Sequence, residues 1–147
     1  YRMNKFFQTF QKYAMVIAWG QALIAMIGSL FFSLVMQLPP CDLCWYQRIA
    51  MYPLVIILGI GIMRKDKTSL LYAIPLAVIG WVIAAYHNLL YYNILPEAMA
   101  PCKAGISCTT RYIEWFGFVT IPLLSFVAFS IIIGCLYGAH KKFILTP

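Results

Sequence analysis

The run AMVIAWGQALIAMIGSLFFSLVM at residues 14–36 contains no charged side chain. As a helix rising 1.5 Å per residue it is roughly 35 Å long, enough to cross the hydrocarbon core of a bilayer with some tilt. Arg2, Lys5 and Lys12 precede it in the manner of a secretory signal, but a cleavable apolar region is shorter and ends in small residues, not in Phe-Phe-Ser-Leu-Val-Met. The run is therefore expected to stay as a first span. Met3 reads as a natural start, with Tyr1 and Arg2 foreign to it.

Three further stretches follow. Residues 45–63 are apolar except for Gln47 and Arg48 at their beginning, and the water-seeking cluster Arg64-Lys65-Asp66-Lys67 stops them. Residues 69–92 and 115–137 each end in Tyr, the amphipathic ring expected at headgroup depth. Pro53, Pro75 and Pro122 fall within spans, where neighbouring groups can satisfy a freed carbonyl. With 63% hydrophobic and 10% charged residues, the chain is not a water-soluble globule. The expected fold is an all-α membrane protein, one domain over residues 1–147, built as a four-transmembrane-helix bundle. There is no internal repeat or low-complexity segment.

Charge orients the bundle. Arg2, Lys5 and Lys12 precede the first span, Arg64, Lys65 and Lys67 follow the second, and Lys141 and Lys142 follow the fourth. Residues 37–43 carry no basic side chain, and residues 93–114 carry Lys103 and Arg111. By the positive-inside rule both termini and the 64–67 loop are expected to be cytoplasmic, with loops 37–44 and 93–114 extracytoplasmic. The net charge of +7 lies in short clusters between apolar stretches, with no basic face to lay along phosphates, so the partner is the lipid bilayer and not nucleic acid.

Four of the five cysteines form two close pairs, Cys41/Cys44 and Cys102/Cys108, one in each outward loop. Outside the cytoplasm thiols are not held reduced, so such pairs can cycle through disulfides. Pro39-Pro40-Cys41-Asp42-Leu43-Cys44 leads into the second span and puts both sulfurs in the opening turn of a helix, where unpaired N–H groups favour a thiolate. Asp42 acts in the opposite sense, and which thiol is depressed stays open. Positions 41, 44 and 48 share a helical face, so Arg48 lies one turn deeper than the sulfurs. A guanidinium there either snorkels to the membrane edge or stabilises a thiolate and the oxygen of an acceptor ring being reduced, which suits a quinone-like acceptor in the lipid.

Cys102 and Cys108 sit in a stretch of about 22 residues with little periodicity, read as a mobile loop, whereas about four residues tie Cys41 to the first span. A mobile pair that collects electrons from a soluble partner and hands them to a fixed pair is a relay. His87 is expected near the outer face at about the depth of Arg48, either as a ligand contact or as a packing partner. Cys135 is expected to be a small buried hydrophobe in the fourth span. Glu97 and Glu114 read as helix-end or solvated carboxylates.

The sequence resembles the DsbB family of membrane disulfide-forming oxidoreductases, in particular its short-loop, BdbC-like branch from Gram-positive bacteria, over nearly the whole chain. The resemblance rests on Pro-Cys-Asp-Leu-Cys-Trp-Tyr-Gln-Arg at 40–48, Ala85-Tyr86-His87, the Cys102/Cys108 loop, and Gly117-Phe118-Val119-Thr120-Ile121-Pro122-Leu123-Leu124-Ser125. It implies a quinone-dependent thiol oxidase that reoxidises an extracytoplasmic, thioredoxin-like DsbA-type oxidase and passes two electrons to a membrane quinone, menaquinone or ubiquinone. Carried over, Cys102 is the sulfur attacked by the reduced partner, Cys108 is released to exchange with Cys41, and Cys44 is the thiolate facing the quinone. Arg48 and His87 match positions associated with quinone binding. Only five residues separate Cys102 from Cys108, unlike the long-loop members, which leaves the order of exchange open.

Two other readings compete. A carrier running electrons outward needs a cytoplasmic or transmembrane cysteine pair, and Cys135 has no partner in sequence. A non-enzymatic tetraspan module would use the four cysteines as static disulfides or as a tetrahedral thiolate metal site. The oxidase reading, with no metal, is the expectation carried forward.

Overall fold

The computed structural model describes residues 2–102 and 119–145. Four long helices follow in order: α1 (Arg2–Leu34), α2 (Asp42–Arg64), α3 (Ser69–Tyr91) and α4 (Ile121–Leu145), with a short 3-10 turn at Glu97–Met99. The segments Tyr13–Leu34, Asp42–Arg64, Ser69–Tyr91 and Ile121–Lys141 are each long and apolar enough to cross a membrane. Ile24, Ile56, Met63 and Val82 are among many large apolar side chains left exposed on the outside, the surface that lipid covers. This is the expected all-α, four-helix multi-pass membrane protein.

Two helix starts differ from the sequence expectation. α2 begins at Asp42, so Cys44 lies in its opening turn as expected while Cys41 is the cap and not part of that turn: it takes an extended backbone (φ −77°, ψ 172°) and its carbonyl accepts the first intrahelical bond, from the Trp45 N–H at 3.1 Å. α4 begins at Ile121 rather than 115, and Val119 and Thr120 are not helical. Thr120 Oγ1 accepts from the Leu123 N–H at 3.3 Å, and Pro122 lies in the first turn, where a missing N–H loses no bond. Pro122 is thus a start signal and not an interior kink; residues 115–118 of the expected span lie outside the described residues.

The basic cluster after α2 makes a tight turn. Lys65 adopts the left-handed region (φ 52°), and the Asp66 N–H returns to the Gly61 carbonyl at 2.9 Å, closing the helix end in a Schellman pattern. Asp66 Oδ1 then accepts from the Thr68 N–H at 2.8 Å, and the Ser69 hydroxyl donates to the Asp66 carbonyl at 2.8 Å. So short a connection makes α2 and α3 antiparallel neighbours.

Each helix packs on its neighbours in sequence, and α1 closes the ring on α4. Small residues allow this in lipid, where no hydrophobic force drives helices together. Ala14, Ala18 and Ala22 form a buried stripe one turn apart on α1, and Ala73, Ala77 and Ala84 are fully buried on α3. Gly80 receives the ring of the fully buried Phe129 where its own Cβ would stand. Hydrogen bonds add register: Trp19 Nε1 donates to the Val55 carbonyl at 3.1 Å, Trp81 Nε1 to Ser130 Oγ at 3.0 Å, and Asn88 Nδ2 to the Pro122 carbonyl at 2.9 Å. The up-and-down order gathers the end of α1, the start of α2, the end of α3 and the start of α4 at one end of the bundle.

Candidate active site

That end holds the cysteines. Cys41 and Cys44 are free thiols with their Sγ atoms 3.0 Å apart, placed by the extended Cys41 backbone and one turn of α2. His87, buried on α3, brings Nε2 to 3.8 Å from Cys41 Sγ. On the other side of the ring Gln47 Nε2 lies 3.0 Å from His87 Nδ1, and Ser125 Oγ of α4 donates to Gln47 Oε1. An amide nitrogen can only donate, so in this arrangement Nδ1 accepts and the ring proton sits on Nε2, facing the sulfur. A polar chain thus runs Ser125–Gln47–His87–Cys41 across α4, α2 and α3.

The Cys44 hydrogen bond holds the Cys41 thiol well below its ordinary value; burial acts against this, and the His87 hydrogen bond adds to the lowering. Of the reduced pair, Cys41 is therefore the thiol whose ionisation its surroundings favour, where the sequence left the choice open.

Arg48 lines the same cavity as the sulfurs, but its hydrogen bonds go to α1: Nη2 donates to the Ser29 carbonyl at 3.1 Å and to Ser33 Oγ. The guanidinium also stands 5.3 Å from the centre of the Trp45 ring. The shared helical face of 41, 44 and 48 is realised, with the cation pinned between α1 and α2. The cavity is about 320 Å³ and is bounded by all four helices, with Cys41, Cys44, Arg48 and His87 on its wall. Tyr52, one turn below Arg48, also lines it, and its buried hydroxyl has no hydrogen-bond partner among the described residues.

The second loop begins docked on this site. Tyr86 Oη donates to the Met99 carbonyl at 2.6 Å, and Ala100 is buried with Cys41, Leu43 and Leu90, with Cys102 packed at the edge of that cluster. Cys102 is disulfide-bonded. The expected mobile loop is therefore anchored over its described part; Cys108, Glu114 and residues 103–118 lie outside the described residues. Cys135 is a buried free thiol in the core of α4, away from the site.

Sequence reasoning singled out Cys41, Cys44, Arg48, His87 and Cys102, and the structure brings all five to one end of the bundle. It gave no role to Gln47, Ser125, Ser29, Ser33 or Tyr52. The available signals were Gln47 as an uncharged polar residue inside a span and Ser125 at the close of the Gly117–Ser125 motif.

A membrane four-helix bundle with a paired-thiol site at one end defines the class of membrane thiol–disulfide proteins. The family model for disulfide bond formation protein DsbB matches residues 11–139, and the chain belongs to that family. It is 54% identical over 127 residues to probable disulfide formation protein C 2 of Bacillus anthracis, covering 86% of this chain and 90% of that one. It is 48% identical to disulfide bond formation protein C of Bacillus subtilis (85% and 92% covered), and 47% identical to probable disulfide formation protein C of Halalkalibacterium halodurans (82% and 88% covered). No solved structure matches. The chain is a membrane disulfide-formation protein of the oxidoreductase type.

Proposed function

We propose that the protein is a thiol:quinone oxidoreductase that reoxidises an extracytoplasmic, thioredoxin-like DsbA-type oxidase and passes the electrons to a membrane quinone. The observation that carries this reading is the cavity itself: an apolar space between four helices whose wall holds both sulfurs of the Cys41/Cys44 pair, a guanidinium and an imidazole. Its volume is within the range of small-molecule sites. The orphaned Tyr52 hydroxyl fits a ligand oxygen, since a buried donor without a partner costs about 1–3 kcal/mol. Arg48, His87 and Tyr52 would hold the ring. A bound quinone supplies an acceptor for two electrons and two protons.

The chain's own residues do the rest. A thiolate of the reduced partner attacks the disulfide of Cys102, which the resemblance pairs with Cys108; the partner leaves oxidised and Cys102 and Cys108 become thiols. Their electrons pass by exchange to the Cys41–Cys44 disulfide, which opens to the dithiol seen here. Re-forming the Cys41–Cys44 bond releases two electrons and two protons into the cavity. His87 steadies the Cys41 thiolate through Nε2–H, and Arg48 offsets negative charge on an acceptor oxygen. The charge asymmetry of the loops supports the sidedness, with both termini and the Lys65 turn cytoplasmic and the cysteine end outward.

The test uses purified protein in lipid nanodiscs, a reduced thioredoxin-like oxidase, and menaquinone or ubiquinone followed by absorbance. Cys44→Ala abolishes quinone reduction, and Cys102→Ala blocks electron entry from the soluble partner while leaving the isolated Cys41/Cys44 dithiol competent. Full turnover by either variant refutes these roles.

A further inference from the structure

We propose that the reduced Cys41/Cys44 pair and His87 form a binding site for a closed-shell divalent cation of the Zn²⁺ class, available in the dithiol state and absent in the disulfide state. The donor set comes from the geometry. Cys41 Sγ, Cys44 Sγ and a ring nitrogen of His87 all lie within 4.8 Å of one another, contributed by two helices that the bundle already holds in place. Two thiolates and one imidazole are the donors that such an ion prefers, and three protein ligands with an open fourth position is an arrangement it adopts.

The distances ask for little movement. With Zn–S near 2.3 Å and Zn–N near 2.0 Å, a tetrahedral ion holds two sulfurs about 3.8 Å apart and a sulfur and nitrogen about 3.5 Å apart. The observed Sγ–Nε2 distance is 3.8 Å, already close, while the sulfurs at 3.0 Å must part by a side-chain rotation. The fourth position then faces the cavity that the three residues share.

The surroundings accommodate the change. Metal binding requires the Nε2 lone pair, so the ring proton moves to Nδ1. Rotation of the Gln47 amide turns Oε1 to accept that proton and Nε2 to donate to Ser125 Oγ, using the partners already in contact. A carbonyl oxygen behind a metal-bound histidine is the usual orienting shell. Any thiol proton still on the pair leaves as the sulfur coordinates, no electrons move, and the two thiolates balance the ion's charge. A disulfide has no thiolate to offer, so metal and oxidation exclude each other.

Resting on the oxidase reading above, the bound ion would hold the protein in its reduced state and halt electron delivery to the quinone. The two claims separate in one experiment. The protein carrying Cys102→Ser and Cys108→Ser, which removes the other thiol pair, is reduced, loaded with ZnCl₂ in detergent, desalted and assayed for zinc; a parallel sample takes Co²⁺ for its visible spectrum. The expected result is one zinc per reduced chain, none after oxidation of Cys41/Cys44 or after their alkylation, and at least about tenfold weaker retention with His87→Ala. Cobalt gives the absorption of a tetrahedral sulfur–nitrogen site. Absence of zinc on the reduced chain, or equal zinc on a sample whose Cys41/Cys44 pair has been alkylated, overturns the proposal without any change to the three ligand residues. Stoichiometric zinc with undisturbed quinone reduction upholds the metal site and removes the thiol-to-quinone reading instead.

Discussion

The two ends of the bundle are built on opposite principles. Toward the Lys65 turn and through the middle, alanines and glycines let helices approach until side chains such as Phe129 fill the backbone's own space. At the cysteine end the helices are held apart around a cavity and joined by polar side chains, Ser125 to Gln47 to His87 to Cys41, and Arg48 to Ser29 and Ser33. The difference teaches that stability and chemistry are separated along the membrane normal. The dry region can be exact in shape because it does nothing else, and the wet-ended region can carry titratable groups because the dry region fixes where they stand.

If that separation is right, the largest contrast between the ends is chemical. The Cys41 thiol, held low by the Cys44 hydrogen bond and then by His87, stays a thiolate as pH falls from 8 to 6. Its rate of alkylation by iodoacetamide, measured on the reduced protein with a chelator present, should change less than about twofold. A thiol of ordinary pKa slows roughly 75-fold over that interval. A rate for Cys41 that fell in the ordinary way would break the polar chain as a functional unit.

The next effect belongs to the dry region. Gly80→Val sets a branched side chain into the Phe129 ring and should lower stability in detergent by roughly 1–3 kcal/mol, with the alkylation profile of Cys41 in the folded fraction unchanged. A changed profile would mean the two ends are not independent.

The smallest effect sharpens the cavity end. Tyr52→Phe removes a buried hydroxyl that bonds to nothing among the described residues, so the ligand-free protein should lose no stability, while on the proposed reading quinone affinity measured by co-purified lipid drops several-fold. Loss of stability on that substitution would show that the hydroxyl has a partner within the chain.

What could be read from the sequence follows the same division. Four apolar runs with charges only at their ends leave few alternatives to four spans, and the i, i+3, i+7 spacing placed Cys41, Cys44 and Arg48 on one face. The rotation of one helix against another is not written in any such spacing. Gln47 meets a serine 78 positions away, and Arg48 turns from the sulfurs to α1; both depend on which faces meet after packing. The described start of α4 has a local cause that hydropathy does not register: Thr120 with Pro122 sets it through capping.

The bond from Tyr86 to the Met99 carbonyl has a bearing on how a visiting protein must approach. Only Ala100 and Pro101 separate that anchor from Cys102, a leash of roughly 10 Å even when fully extended. While the anchor holds, Cys102 stays at the rim of the helices, so on the proposed reading a redox partner has to descend to the bilayer and present its own cysteine there.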